Sequence, residues 1–254
     1  MGVNLKKLSI SFAFLILLIY LFLLFSSFYY FDLSEFFESI SSERNLFSIK
    51  LSLVAASFAT ILALLIAIPA AYALARYDFY GKGLIDIILE LPLIISPAAL
   101  GAMILIFFSS STGLWLQEHF IQIVYTFWGI VLAQFVTVLG IATRMLKTGI
   151  EQIPKRYEQV AQTLGASQVQ ILFTITLPLA KKSLFSATIL TWAKAFGEFG
   201  ATFTLAGSMA MKTETIPISI FMKLANADIK GSVAMIMVLV SVGISLLAIA
   251  RIRL

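Results

Sequence analysis

Six separate apolar stretches, residues 8–31, 51–75, 84–108, 121–142, 184–206 and 233–250, limit this chain to one kind of solution. Each is long enough, or nearly so, to cross roughly 30 Å of hydrocarbon as a helix of ~20 residues. No water reaches the backbone in that solvent, so each stretch must bond its own N–H and C=O groups, which a helix does. The expected fold is therefore all-α, a polytopic membrane protein with six transmembrane helices. A 60% share of hydrophobic residues against 12% charged, with a mean hydropathy of +1.00, excludes an ordinary soluble domain. Lys6 and Lys7 precede the first stretch as they would in a secretory signal. That stretch is too long and lacks an Ala-x-Ala-like exit, so it is read as a retained span.

Basic residues give the orientation. With the N-terminus in the cytoplasm, Lys6, Lys7, Arg76, Lys82, Arg144, Lys147, Lys155, Arg156, Lys181, Lys182, Arg251 and Arg253 all lie inside. Only Arg44, Lys50, Lys212, Lys223 and Lys230 lie outside, where the first loop carries the acids Asp32, Glu35, Glu38 and Glu43. Both termini are then cytoplasmic and the cell membrane is the location. The net charge of +5 is a topological signal and gives no reason to propose nucleic acid as a partner. No shift of composition marks a soluble domain, so residues 1–254 read as a single transmembrane domain whose longest outer loop is about 207–232.

About 40 residues separate the apolar run ending near Ala142 from the one starting near Leu184, far more than a connector needs. Within this loop, at about 147–182, the segment YEQVAQTLGASQVQILFTITLP reads as helix, turn and helix. Pro154 suits the first turn of the first helix, and Tyr157, Val160, Ala161 and Leu164 follow at i, i+3, i+4 and i+7, forming an apolar stripe. Gly165 stands where a left-handed residue often ends a helix. Ser167 with Gln170 makes a capping-box start for the second helix, which Pro178 ends or kinks. Such an amphipathic element is what a soluble partner needs in order to grip a membrane protein.

The segment resembles the cytoplasmic coupling loop of permease subunits of binding-protein-dependent ABC importers. Their pattern is Glu-Ala-Ala, three residues, Gly, nine residues, Ile, one residue, Leu-Pro. Gly165, Ile175, Leu177 and Pro178 match in identity and spacing, while the Glu-Ala-Ala positions hold Gln159, Val160 and Ala161, with the acid displaced to Glu158. The resemblance implies a type I importer permease fold and an ATPase-coupling role for residues 157–161, 164–166 (including Ala166), 175, 177 and 178.

Other chemistry is poorly supplied. Nothing resembles the Gly-x-x-x-x-Gly-Lys-Ser/Thr phosphate loop, so an ATP-driven motor must be another subunit. There is no Cys and a single His, His119 beside Glu118, which reads as an ordinary interfacial residue; this excludes thiolate metal sites and leaves Ser–His hydrolysis weakly supported. Asp86 and Glu90, one helical turn apart, read as an interfacial pair.

Two spans carry features that are costly in a bilayer. The third holds Pro92, Ser96 and Pro97 in ELPLIISPAALG, where prolines five apart can bend or open a helix. The fifth places Lys194 and Glu198 on one face as a mutually neutralising pair, with Gly197, Gly200 and Ala201 small enough for close approach. These are candidate pathway or gate residues, against a packing kink and a structural ion pair. Leu-Pro-Leu-x-x-x-Pro at residues 91–97 and Gly-Glu-Phe-Gly-Ala-Thr at 197–202 resemble permeases for tetrahedral oxyanions, molybdate or tungstate above all and sulfate next. That resemblance, over about residues 51–247, implies a homodimeric permease with two cytoplasmic ATPase subunits that hold the ATP and Mg, and an external binding protein. The chain itself would bind no cofactor. A secondary transporter and a membrane enzyme are the competing readings; the first leaves the patterned loop unexplained and the second lacks reactive groups.

Overall fold

The computed structural model describes residues 5–253, with side chains up to residue 248, so Arg251 and Arg253 lie outside the described side chains. Helix α1 (Leu5–Phe28) buries no side chain against the rest of the chain. A short helix α2 (Leu33–Ser41), capped by the Asp32 carboxylate, leads into α3 (Glu43–Arg76), which Ser42 caps. Then follow α4 (Lys82–Ile88), α5 (Leu91–Ile94), α6 (Pro97–Ser109), α7 (Ser111–His119) and α8 (Phe127–Glu151). The loop segment supplies α9 (Arg156–Thr163), α10 (Gln168–Ile171), a π-helical turn (Leu172–Thr176) and α11 (Leu177–Leu179). The chain finishes with α12 (Lys181–Phe196), α13 (Gly200–Ala206), α14 (Ile216–Ala225) and α15 (Ile229–Arg253).

The six-span expectation is met in part. Among the described residues four helices are long and apolar enough to cross a membrane alone: α1, α3, α8 and α15. A fifth crossing exists only if α4–α5 and α6 count together, and these meet at 111°. Pro97 causes the break: Ser96 is extended (φ −60°, ψ 145°), as a residue before proline prefers, and Pro97 opens α6 as its first residue. The expected fifth span is also interrupted, at residues 197–199, leaving α12 with 16 residues and α13 with 7. The expected outer loop is instead partly core, because Thr213, Glu214, Thr215, Ile216, Ile218 and Ser219 are all buried.

Helices α3 and α8 form the centre and run side by side in the same direction. Level after level, Ala55 and Ala59 pack with Ile130 and Val131, Ala63 with Val138, and Ala67 and Ala71 with Ala142, Leu146 and Ile150. The i, i+4 ladder Ala55, Ala59, Ala63, Ala67, Ala71 is wholly buried. Lipid tails are as apolar as leucine, so helices associate in a bilayer through close packing, and a row of small residues permits the approach. Glycines serve the same end on α8, where a Cβ at Gly140 would lie 2.3 Å from the Leu89 carbonyl oxygen.

Enlarging the ladder is expected to destabilise the bundle. Ala63→Leu should cost about 1–3 kcal/mol by overpacking, seen as a lower Tm of the detergent-solubilised protein. Leu65→Ala, on the exposed side of the same helix, should leave Tm unchanged; equal melting of the two variants would contradict the packing.

Candidate functional site

Two groups of residues stand out, one at the end of the bundle and one inside it. In the loop segment, α9 starts at Arg156, so Pro154 precedes it by two residues instead of sitting in its first turn. Gly165 is left-handed (φ +87°), and the Ala166 N–H reaches back to the Ala161 carbonyl at 3.0 Å, closing the helix end. The capping box is complete: Gln170 N–H donates to Ser167 Oγ and Ser167 N–H to Gln170 Oε1 at 2.8 Å. The π turn ends where the Leu177 N–H bonds the Leu172 carbonyl. This extra residue in the turn accommodates Pro178, which cannot donate to the ladder.

The stripe divides. Tyr157, Val160 and Leu164 are exposed, Leu164 by 83%, and Val169 and Phe173 of the second helix extend the same kind of apolar surface. Ala161 is instead buried against its own chain, as is Glu158. Gln159 and Pro178 are exposed, while Ala166, Ile175 and Leu177 are half-buried.

Glu158 is the hub of a clamp that the sequence does not announce. Arg76, the last residue of α3, donates Nε–H to both Glu158 carboxylate oxygens at 2.9 and 3.0 Å. Its Nη2 donates to the Ile153 carbonyl at 3.0 Å, and Thr176 Oγ1 donates to Glu158 Oε1 at 2.8 Å. Both charged side chains are almost wholly buried. Tyr77 OH adds a bond to Gln168 Oε1 at 3.1 Å. The two loop helices are thereby fastened to the end of α3. A buried pair of this kind is costly to break, about 3–5 kcal/mol when one partner is removed.

The second group is the meeting of the two interrupted spans. Ser96 Oγ accepts the Ala99 N–H at 3.3 Å at the start of α6, and Glu198 Oε1 accepts the Ala201 N–H at 3.2 Å at the start of α13. The N-terminal end of the helix that follows each break thus receives one bond from a side chain of that break. The two ends lie against each other: a Cβ on Gly200 would come 2.9 Å from Ala98 N and 3.2 Å from Pro97 Cβ, and one on Gly101 would come 2.7 Å from the Ala201 carbonyl oxygen. Pro97, Gly200 and Glu198 are therefore brought together around one crossing, and Gly101 joins them unforeseen. Pro92 stands apart in α5, and Gly197, exposed with only the Ala193 carbonyl nearby, ends α12 without making a helix contact. Lys194 Nζ meets Glu198 Oε2 at 3.2 Å across the break; the Glu198 side chain is 1% exposed and that of Lys194 46%.

Asp86 and Glu90 are each engaged from α8, by Lys147 at 2.8 Å and Arg144 at 2.6 Å. His119 stacks on Trp115 and bonds its carbonyl oxygen. No group of three or more His, Cys, Asp or Glu that could hold a metal ion occurs among the described residues.

Comparison with known proteins fits this architecture. Residues 59–252 match the family model described as binding-protein-dependent transport system inner membrane component. The chain is 31% identical over 222 residues to the probable transport system permease protein NifC of Clostridium pasteurianum, covering 86% of this chain and 77% of that protein. It is 36% identical over 177 residues to the molybdenum transport system permease protein ModB of Haemophilus influenzae, covering 68% and 77%. It is 30% identical over 216 residues to the sulfate transport system permease protein CysT of Escherichia coli, covering 84% and 78%. Its fold is shared by a chain of a bacterial alginate ABC transporter solved in complex with an alginate pentasaccharide-bound periplasmic protein, with TM-score 0.75, 18% identity, and 97% of this chain and 94% of that one covered. A chain of the inward-facing MetNI methionine ABC transporter shares it at TM-score 0.60 and 15% identity, covering 83% and 98%. This chain belongs to the inner-membrane permease components of binding-protein-dependent ABC importers, multi-pass proteins of the plasma membrane.

Proposed function

We propose that the chain forms the translocation path of an ATP-driven importer for tetrahedral oxyanions and couples that path to a separate ATPase. Molybdate or tungstate is the first reading of the cargo and sulfate the second, each in line with the names of similar permeases. The carrying observation is the loop segment, whose apolar side chains Tyr157, Val160 and Leu164 stand exposed on a scaffold clamped from beneath to α3. A large apolar patch of this kind, outside the apolar spans, calls for a protein partner. Two ATPase subunits carrying ATP and Mg would dock there on the cytoplasmic side, a second copy of the chain would complete the path, and an external binding protein would deliver the anion.

Force applied to α9 has two routes into the spans. One passes through Glu158 and Arg76 into α3; the other passes along the π turn and α11 into α12, whose far end is the interrupted crossing. At that crossing Lys194 uses one of the three donors of its ammonium on Glu198, and its remaining donors have no partner among the described residues. A half-exposed cation beside capped helix breaks suits the passage of an anion that must shed water.

Coupling and passage are separable by experiment. Leu164→Asp is expected to weaken capture of the ATPase subunit by about tenfold, or about 1.4 kcal/mol, in a pull-down from membranes. Glu158→Gln should preserve capture yet lower oxyanion-stimulated ATP hydrolysis, since the clamp loses its charge while the exposed face is kept. Undiminished capture by Leu164→Asp would remove the docking role.

For the path, Lys194→Met is expected to reduce folded protein because the buried Glu198 keeps its charge alone, and adding Glu198→Gln should restore folding while the amide oxygen still caps α13. Uptake of labelled molybdate and of sulfate into proteoliposomes, with the full complex and the matching binding protein, should remain depressed in the double variant. Full uptake by the folded double variant would make the pair purely structural, and transport of neither anion by the unaltered complex would overturn the cargo class.

A further inference from the structure

At the end of the bundle that carries the loop segment, α8 and α12 border an open cavity of about 430 Å³. Its lining includes Arg144, Thr148, Gln152, Lys182, Ser183 and Ser186. The helices come close here because residue 149 is glycine; a Cβ there would lie 2.3 Å from Ser183 Cβ. Lys182 is exposed and has no carboxylate partner among the described residues, and Arg144, 48% exposed, meets Glu90 through Nη1.

Buried hydroxyls without a partner occur elsewhere among the described residues, at Thr60 of α3 and Thr191 of α12 for example, whereas those of this cleft line an open cavity. Several serines and threonines on these and neighbouring helices bond back to their own backbone: Ser52 to the Ser48 carbonyl, Thr143 to that of Leu139 and Thr188 to that of Leu184, each at 2.8 Å. Thr148, Ser183 and Ser186, flanked by those residues, do not, nor does the Gln152 amide have a partner among the described residues. Two nearby acids are already engaged, Asp86 by Lys147 and Glu90 by Arg144, while Glu151 is exposed and borders the adjoining cavity with Arg144 and Thr148. Uncommitted hydroxyl donors beside two cations favour a multiply charged oxygen anion.

We propose that this cleft binds a phosphate-class oxyanion, held by Lys182 and Arg144 and by the hydroxyls of Thr148, Ser183 and Ser186. Two sources can present that group, an anionic phospholipid headgroup or a free anion. The site lies where the apolar runs of α8 and α12 give way to Arg144, Lys147, Lys181 and Lys182, which is headgroup level, and Met145 adds an apolar wall suited to a lipid.

The test uses the complex with its ATPase subunits in nanodiscs of phosphatidylcholine, with and without a photo-crosslinkable phosphatidylglycerol. Crosslinks are expected on residues 144–152 and 182–186, weakened about fivefold by Lys182→Gln, the worth of one cation near an anionic surface. Ser186→Ala should weaken them too, whereas Lys181→Gln, at the adjacent exposed lysine, should not. In pure phosphatidylcholine discs, inorganic phosphate or sulfate that raises Tm of the parent complex but not of Lys182→Gln would assign the site to a free anion and uphold the chemistry. Diffuse crosslinks, or equal losses for Lys181→Gln and Lys182→Gln, together with no anion-dependent rise in Tm, would overturn it. Neither readout requires transport or ATP hydrolysis, so the outcome is independent of the proposed cargo.

Discussion

A helix broken inside a bilayer exposes N–H and C=O groups that hydrocarbon cannot satisfy, and this chain breaks two. The architecture around α6 and α13 follows from that constraint. Ser96 and Glu198 supply oxygen atoms to the first free N–H groups, and Gly101 and Gly200 let the two ends press against each other where lipid would otherwise enter. Side-chain caps substitute for the hydrogen bonds that a continuous helix would have made. The cap from Glu198 brings a buried carboxylate with it, and Lys194 across the break balances that charge.

The unbroken part of the molecule obeys a different rule. Helices α3 and α8 run unbroken, with Pro69 the one interior residue of α3 that cannot donate, so association rests on contact area, and the alanine ladder brings two backbones close over most of the span. A closely packed pair of this kind transmits displacement with little internal give. The clamp of Arg76, Glu158 and Thr176 sits at the end of this pair, which places the loop segment on the stiffest element available.

Much of this was legible where a residue type answers to one physical demand. Gly165 adopts the left-handed turn that a glycine after a helix suggests, and Ser167 with Gln170 forms the capping box its spacing implies. The break at residues 197–199 was not legible, because hydropathy averages over it and no proline marks it. The burial of the start of α14 and of the residues before it was hidden for a related reason: the apolar residues of α14 are too few to read as a span, and Thr213, Glu214 and Ser219 look like loop while lying inside. Glu158 was misleading in another way. Its neighbours on the helix face outward, and only the tertiary position of Arg76, 82 residues earlier, turns it into a buried partner. The alanine ladder, by contrast, stands openly in the sequence at every fourth position from 55 to 71, a signal for close packing that length and hydropathy alone pass over.

The apolar side chains of Tyr157, Val160, Leu164, Val169 and Phe173 have a consequence for the life of the protein in the cell. They stand beyond the apolar spans, so a copy inserted without its ATPase would present to the aqueous phase a surface of the kind that chaperones and membrane proteases recognise. Completed complexes would hide that mark and orphan copies would keep it. On the docking proposed above, the cellular amount of the permease would then follow the supply of the subunit that covers the patch.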